Sequence, residues 1–111
     1  MADYNDFLPD VKRYDAAADE AAVKGIVKHL GIALANKNAD SAFVAASDKS
    51  ELDRVRDSWL KKKLARTESD ADLEAAVKEI AATMKADHRK QRVTFYYLLA
   101  QKYGVLESLR A

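Results

Sequence analysis

The sequence predicts an all-α protein, a compact bundle of about five short helices that forms a single domain over residues 1–111. Alanine has the highest helix propensity and occurs 21 times in the 111 residues, whereas there are only 3 glycines and 1 proline. Apolar residues also recur at intervals of three and four in several segments, as they do along one face of a helix. A chain of this length can bury one core without disulfides or a structural metal.

Two helices are predicted in the first third of the chain. Pro9 interrupts the first, about Asp3 to Tyr14, so we expect Asp6 to cap a helix that starts near Leu8. The second runs from about Asp19 to Leu30 and has one apolar stripe. These two segments account for the acidic beginning of the chain.

An irregular connection is predicted near residues 36–47, after Gly31 ends the second helix. Side-chain oxygens here compete for the hydrogen bonds of a helical backbone. We expect only short helical turns, around Ile32 to Ala35 and Ala42 to Ala46. The competing side chains belong to Asn36, Asn38, Asp40 and Ser41.

The third helix has a well-marked start, because Asp48 and Glu51 have the spacing of a capping box. It should extend to about Leu64, with one apolar side and three lysines at its carboxyl end, where positive charge stabilises the helix dipole. The predicted apolar residues are Leu52, Val55, Trp59, Leu60 and Leu64.

A fourth helix should begin at Ser69, whose hydroxyl suits a helix N-cap. Its apolar stripe has intervals of four, three and four, and consists of Leu73, Val77, Ile80 and Met84. The last segment, Arg89 to Tyr103, suits a buried strand or a buried helix. We favour a helix at the centre of the bundle, because one strand has no partner and Gly104 resembles a helix stop. Residues 105–111 are expected to fold back as a half-turn.

Charge is balanced overall, with a net of +1, but it is segregated along the chain. Residues 54–66 have a net charge of +5 and residues 85–92 a net of +3. If these two stretches meet in space they could bind phosphate or another anion. The alternative is that they face acidic neighbours or water. The candidate anion-binding residues are Lys61, Lys62, Lys63, Arg66, Arg89, Lys90 and Arg92.

Several classes of function find no support in the sequence. There is no cysteine, and His29 and His88 stand in no metal-ligand pattern, so we expect no metal site, no cofactor and no catalytic group. A helix-turn-helix fits poorly, because Lys37 occupies a position that should be aliphatic. The uncharged run of residues 93–101 is about half the ~20 residues that span a bilayer. We expect no membrane span and a cytoplasmic protein.

The aromatic residues are candidates for an interface between protein molecules. Large uncharged side chains at positions 96–99 cover more than one face of the last helix, and a chain this short offers limited cover. This favours a homodimer in which a second copy buries part of the aromatic face, since such interfaces are rich in aromatic residues. The candidate interface residues are Trp59, Tyr96, Tyr97 and Tyr103.

Three segments together resemble a family of short bacterial proteins catalogued as a domain of unknown function. They are VKHLGIAL at residues 27–34, SDKSELDRVRDSWLKKKLA at 47–65 and MKADHRKQRVTFYYLLAQKYG at 84–104. The resemblance implies a compact all-helical domain over nearly the whole chain. It supplies no activity, cofactor or functional residue.

Taken together, these features favour a non-enzymatic helical module that works by protein association, with itself as the first candidate partner. The alternative is a weak nucleic-acid or anion-binding domain that uses the two basic stretches. The two differ in salt dependence, because binding to phosphates weakens steeply with salt and an apolar interface does not.

Overall fold

Five α-helices form the fold in the computed structural model, which describes residues 3–35 and 39–111. This confirms the predicted all-α class. A two-stranded sheet and several short 3₁₀ turns complete the described residues. The helices are α1, Leu8–Tyr14; α2, Glu20–Leu30; α3, Lys49–Arg54; α4, Asp70–Thr83; and α5, Arg92–Lys102.

The start of α2 agrees with the prediction, whereas the start of α1 does not. The Asp19 carboxylate accepts a hydrogen bond from the Ala22 backbone N–H at 3.1 Å and so caps α2. Asp6 does not cap α1. It ends a 3₁₀ turn, and α1 begins after Phe7, which makes no side-chain cap. The Phe7 ring is 1% exposed, so the chain turns here to bury an aromatic side chain.

The capping box predicted at the start of α3 is only half formed. Asp48 accepts a hydrogen bond from the Ser50 backbone N–H at 2.9 Å and caps the helix as expected. The Glu51 carboxylate does not return to the cap. Glu51 is buried and pairs with Arg92 of α5, which gives it a tertiary role that the local pattern did not reveal.

A π-helical segment, Val55–Lys63, continues the helix beyond α3. The Leu64 N–H donates to the Trp59 carbonyl at 2.8 Å, five residues earlier instead of four. The predicted extent of the third helix is therefore confirmed, but its second half is more widely wound than an α-helix. Ala65 then takes a positive φ of 55° and ends the segment.

Helix α4 follows its predicted pattern. The Ser69 hydroxyl accepts a hydrogen bond from the Asp72 N–H at 3.2 Å. All four residues of the predicted stripe, Leu73, Val77, Ile80 and Met84, are buried. The spacing of four, three and four thus identified the face of α4 that packs into the core.

A short antiparallel sheet is the part of the fold that the sequence did not predict. Phe43–Val44 pairs with Lys90–Gln91, and Phe43 lies opposite Gln91. The helical turn expected at residues 42–46 is therefore wrong, although the 3₁₀ turn Gly31–Leu34 agrees with the turn expected at 32–35. Two-residue strands are too short to leave an alternating pattern. The rest of the predicted irregular connection includes residues 36–38, which lie outside the described residues.

Helix α5 is the centre of the core, and it is a helix rather than a strand, as predicted. Its residues 92–100 are all buried within one chain. Helices α1, α2 and α4 pack around it, and the 3₁₀ turn Leu106–Leu109 folds back onto α2 as expected. One chain therefore supplies the cover that this helix needs.

Candidate functional site

The predicted interface residues lie almost entirely in the core. Trp59 and Tyr97 are 0% exposed and Tyr96 is 4% exposed. The Trp59 ring stacks on Tyr96 with 4.5 Å between ring centroids, and its Nε1–H donates to the Tyr96 carbonyl at 3.2 Å. The expectation that a second copy must bury this aromatic surface is therefore corrected, because the chain buries it itself.

Tyr103 is the one partly exposed member of that set. The Arg66 guanidinium lies over its ring, 4.5 Å from the centroid, and also pairs with Glu68. Burial raises the pKa of the Tyr103 hydroxyl above its usual value, and the nearby Glu68 charge adds to the effect. This pair closes the carboxyl end of α5 and leaves little aromatic surface.

The first basic stretch divides into paired and unpaired cations. Lys61 pairs with Asp70 at the start of α4, and Arg66 pairs with Glu68. Lys62 and Lys63 are exposed and have no ion-pair partner among the described residues. Only these two lysines of the stretch are therefore available to an external anion.

The second basic stretch is largely occupied by internal contacts. The Arg92 guanidinium is buried, pairs with Glu51 and donates to the carbonyls of Ser41 at 2.9 Å and Phe43 at 3.0 Å. Arg89 pairs with Asp40, and Lys90 donates to a backbone carbonyl at 3.0 Å. These cations hold the short sheet and α3 against α5.

The two stretches lie at opposite ends of α5 and do not form one patch. Arg92 is its first residue, whereas Arg66 packs on Tyr103, just beyond its last. Eleven residues of α-helix span about 16 Å. The sequence left open whether the two stretches meet in space, and the seven cations do not form one cluster.

A different group of cations surrounds a groove, here named the basic groove. It has a volume of about 300 Å³. Side chains of α2, of the end of the π segment and of the last turn form its walls. The lining residues are Gly25, Lys28, His29, Lys63, Ser108, Leu109, Arg110 and Ala111.

Close packing of the last turn on α2 builds this groove. A β-carbon at Gly25 would lie 1.6 Å from the Leu109 carbonyl oxygen, so only glycine allows the two backbones to approach this closely. The Ala111 N–H donates to the Ala21 carbonyl at 3.1 Å. Arg110 pairs with Asp19 at 2.7 Å, and this ion pair lowers the pKa of the Asp19 carboxyl. The groove therefore has a fixed floor.

The electrostatics of the groove are set by Lys28 and Lys63. Neither has an ion-pair partner within residues 3–35 and 39–111, whereas the charge of Arg110 is balanced by Asp19. His29 rests on Trp59, with 5.4 Å between ring centroids. Partial burial lowers the pKa of His29 below its usual value, and the charge of Lys63 lowers it further. At neutral pH the groove therefore presents two free ammonium groups beside a neutral imidazole.

A second cleft, of about 280 Å³, lies between α3 and α4. Its two acids are both in ion pairs, Asp53 with Lys49 and Arg56, and Glu74 with Arg56. The floor is formed by Leu52 and Val77. Of the two lysines that line this cleft, Lys49 pairs with Asp53 and only Lys78 has no ion pair among the described residues, whereas the basic groove has two such lysines.

Metal and membrane functions can be assessed for the same residues. No group of three or more His, Cys, Asp or Glu side chains is placed to hold a metal ion in the described part of the chain. None of its described helices combines the length and the apolar character required to cross a bilayer.

Sequence reasoning found one member of the basic groove, Lys63, and missed the rest. Lys28 and Arg110 lie 35 residues before and 47 residues after it, outside both basic stretches. His29 was interpreted only as a helix-end residue. The one available signal was that a lysine and a histidine adjoin a glycine stop at the end of α2, and this is equally typical of an ordinary helix terminus.

Comparison with known proteins places the chain in a family. A search of curated proteins finds no match. The family described as protein of unknown function (DUF2853) matches residues 6–107, which include all five α-helices and half of the last turn. The family resemblance noted in the sequence is thereby confirmed, and the chain belongs to the DUF2853 family.

Proposed function

We propose that this protein is a non-enzymatic binding domain whose basic groove takes an anionic group. The observation that carries the proposal is that Lys28 and Lys63, from two different helical elements, border one groove whose lining contains no Asp or Glu, and neither has an ion pair among the described residues. An anion in this groove would be attracted by both positive charges. The proposal places the protein in the cytoplasm, the compartment predicted from the sequence.

The anion-binding alternative thus takes precedence over self-association, with a different set of residues. Of the seven cations expected at first, Lys63 is retained, and Lys28 joins it from α2. His29 has no Asp or Glu side chain beside it in the groove lining, so the groove lacks the pair of groups that general acid and base catalysis uses. Binding without catalysis is the function that this geometry favours.

Nuclear magnetic resonance titration with sodium sulfate, against sodium chloride at equal ionic strength, tests the proposal. Saturable shifts of the backbone amides at residues 25–29, 61–64 and 108–111 are expected with sulfate and not with chloride. The double variant Lys28→Gln/Lys63→Gln should lose the saturable shifts. Charge-assisted hydrogen bonds are worth about 1.5–3 kcal/mol, so each lysine removed should weaken binding about tenfold or more.

The matched control is Lys78→Gln/Lys85→Gln, which removes two other exposed lysines without an ion-pair partner in the described chain. Neither lines the basic groove. This control should bind sulfate like the parent protein. Equal loss of binding in both double variants would mean that only net charge matters, and shifts spread over the whole surface would contradict a site.

Self-association is the second candidate, and one observation favours it. Ile32 is 91% exposed and is the only large hydrophobic side chain exposed to this degree in the described residues. A stable interface buries about 800 Å² per partner, far more than one isoleucine, so this candidate ranks second. Light scattering after size-exclusion chromatography should then give a dimer mass that Ile32→Asp reduces to the monomer. A monomer at all concentrations would exclude it.

A further inference from the structure

We infer that the ligand of the basic groove is a compact phosphate-bearing molecule of the size of pyrophosphate or a small phosphomonoester, and not a nucleic-acid duplex. This inference rests on the proposed function, because it names the ligand class of the same groove. It depends on the groove's size, on the arrangement of its cations and on the position of His29.

The size of the groove limits what can enter it. Small-molecule sites range from about 300 to 1,000 Å³, and at about 300 Å³ the basic groove lies at the lower end. Its floor is fixed by the backbone contact between Gly25 and Leu109, so the groove cannot deepen without displacing the last turn. A ligand with one or two phosphoryl groups is of suitable size.

The cations converge on one point and do not form a track. Lys28 lies on α2, Lys63 ends the π segment, and Arg110 follows the last turn. Of the nearby cations, Lys61 and Arg66 are paired with Asp70 and Glu68. Lys24 and Lys62 have no ion pair among the described residues, but neither lines the groove. A protein that binds a DNA duplex tightly neutralises about six to ten phosphates along the backbone. Two unpaired lysines at one groove suit a single compact anion instead.

The large aromatic rings that pack behind His29 are not accessible for stacking on nucleic-acid bases. Trp59 and Tyr96 are buried and stack on each other. Single-strand binding usually combines a basic groove with exposed aromatic platforms. Among the residues that line the groove, only His29 has a ring, and this ring packs against the buried Trp59. Recognition must therefore come from charge and hydrogen bonds.

His29 gives this site its own reporter. The imidazole shares the groove with Lys28 on its own helix, Lys63 on the π segment and Arg110 beyond the last turn. The charge of Lys63 opposes its protonation, whereas the charge of Arg110 is balanced by Asp19. A bound phosphate group reverses that local field and can accept a hydrogen bond from the ring. Occupancy should therefore raise the pKa of His29, and by linkage affinity should rise as the pH falls.

The experiment is a proton magnetic resonance titration of both histidines, with and without inorganic pyrophosphate, followed by competition with a short mixed-sequence DNA duplex. Pyrophosphate should raise the pKa of His29 and leave His88 unchanged. His88 is a control in the same spectrum, because it lies beside Arg89 in a different cavity. Lys28→Gln/Lys63→Gln should weaken pyrophosphate binding about a hundredfold, and the duplex should not displace it.

Each outcome separates this inference from the function on which it rests. Saturable pyrophosphate binding with a raised His29 pKa supports both. The duplex could instead bind more tightly than pyrophosphate, with a steep salt dependence that the double variant abolishes. That outcome would support anion binding and overturn the inference that the ligand is compact. Binding that leaves the His29 pKa unchanged places the ligand outside the groove and overturns the inference. No binding of sulfate, pyrophosphate or duplex would falsify the proposed function itself.

Discussion

Two groups of cations in this molecule have opposite fates. Arg92 is 8% exposed, and Glu51, two backbone carbonyls and the Tyr96 hydroxyl surround its guanidinium. In the basic groove, Lys28 and Lys63 are exposed, and neither has an ion-pair partner among the described residues. Both groups are basic in the sequence, yet the first stabilises the fold and the second is available to a ligand. The presence of a partner, and not the charge itself, separates the two roles.

The largest expected effect comes from breaking the buried pair. Glu51→Ala leaves the Arg92 guanidinium buried without its carboxylate, which should lower the free energy of unfolding by about 3–5 kcal/mol. Urea denaturation measures this loss. Sulfate binding by the folded variant should be unchanged, because neither Glu51 nor Arg92 lines the basic groove. Glu107→Ala, which removes an exposed acid without an ion pair among described residues, should change stability by less than about 0.5 kcal/mol.

The next effect tests the floor of the groove. Gly25→Ala places a methyl group against the Leu109 carbonyl and should displace the last turn. Losing the burial of Leu109 should lower the free energy of unfolding by about 1.5–3 kcal/mol, and the better helix propensity of alanine should raise it by about 1 kcal/mol. Thermal unfolding measures the net change, and sulfate binding should weaken with it. Leu109→Ala removes the buried side chain but causes no collision. If Leu109→Ala binds sulfate like the parent protein and Gly25→Ala does not, the backbone contact determines the shape of the groove.

A smaller effect, and one that depends on pH, is expected at Tyr97. Its hydroxyl donates to Asp15 at 2.6 Å and accepts from the Asp19 N–H at 2.9 Å, and burial followed by the Asp15 hydrogen bond raises its pKa to about 12. The folded pKa lies above the unfolded value of about 10, so this stabilisation is complete below pH 10 and is lost as the pH rises toward 12.

The variant Tyr97→Phe should therefore lose about 1–2 kcal/mol at pH 8 and show a smaller decline in stability between pH 10 and 12 than the parent protein. Chemical denaturation across that range measures both. Like the Arg92 cluster, this network is fully paired, so anion binding should not change. If the stability of both proteins fell equally between pH 10 and 12, another group would be responsible for the pH dependence. The first candidate is Tyr14, whose pKa is also raised to about 12.

The smallest expected effect is a gain in stability. Ala65 has a φ of 55°, a conformation that disfavours any residue with a β-carbon. Ala65→Gly should relieve this strain and stabilise the fold by about 0.5 kcal/mol after the entropic cost of glycine. Because it lies just beyond Lys63 and removes no charge, sulfate affinity should be retained. Ala75→Gly on the exposed side of α4 is the control and should destabilise by about 1 kcal/mol.

Much of the fold could be predicted, because helices are encoded by neighbours in sequence. The caps at Asp48 and Ser69 were visible as residue types at helix starts. The stripe of α4 and the buried run of α5 were visible as periodicity and composition. Each of these signals depends on groups within about four residues of one another.

The rest depended on contacts between distant residues. Glu51 has the spacing of a capping residue, but Arg92, 41 positions later, is the stronger partner for its carboxylate. The short sheet joins Phe43 to Gln91 across a similar separation. The basic groove is assembled from three segments, so its members could not be recognised as a cluster in one sequence. Charge runs identified basic residues and could not identify which of them have partners.

The wider winding of the π segment determines the directions in which its side chains point. At the roughly 100° per residue of an α-helix, Val55 and Leu64, nine positions apart, would point to opposite sides. Both are buried, and the wider π turn is what returns them to one face. Deleting one residue within this segment would let it close into an ordinary α-helix and would rotate everything beyond the deletion, including Lys63. The direction of that ammonium group is therefore set by the number of residues between Asp48 and Leu64 as much as by their identity.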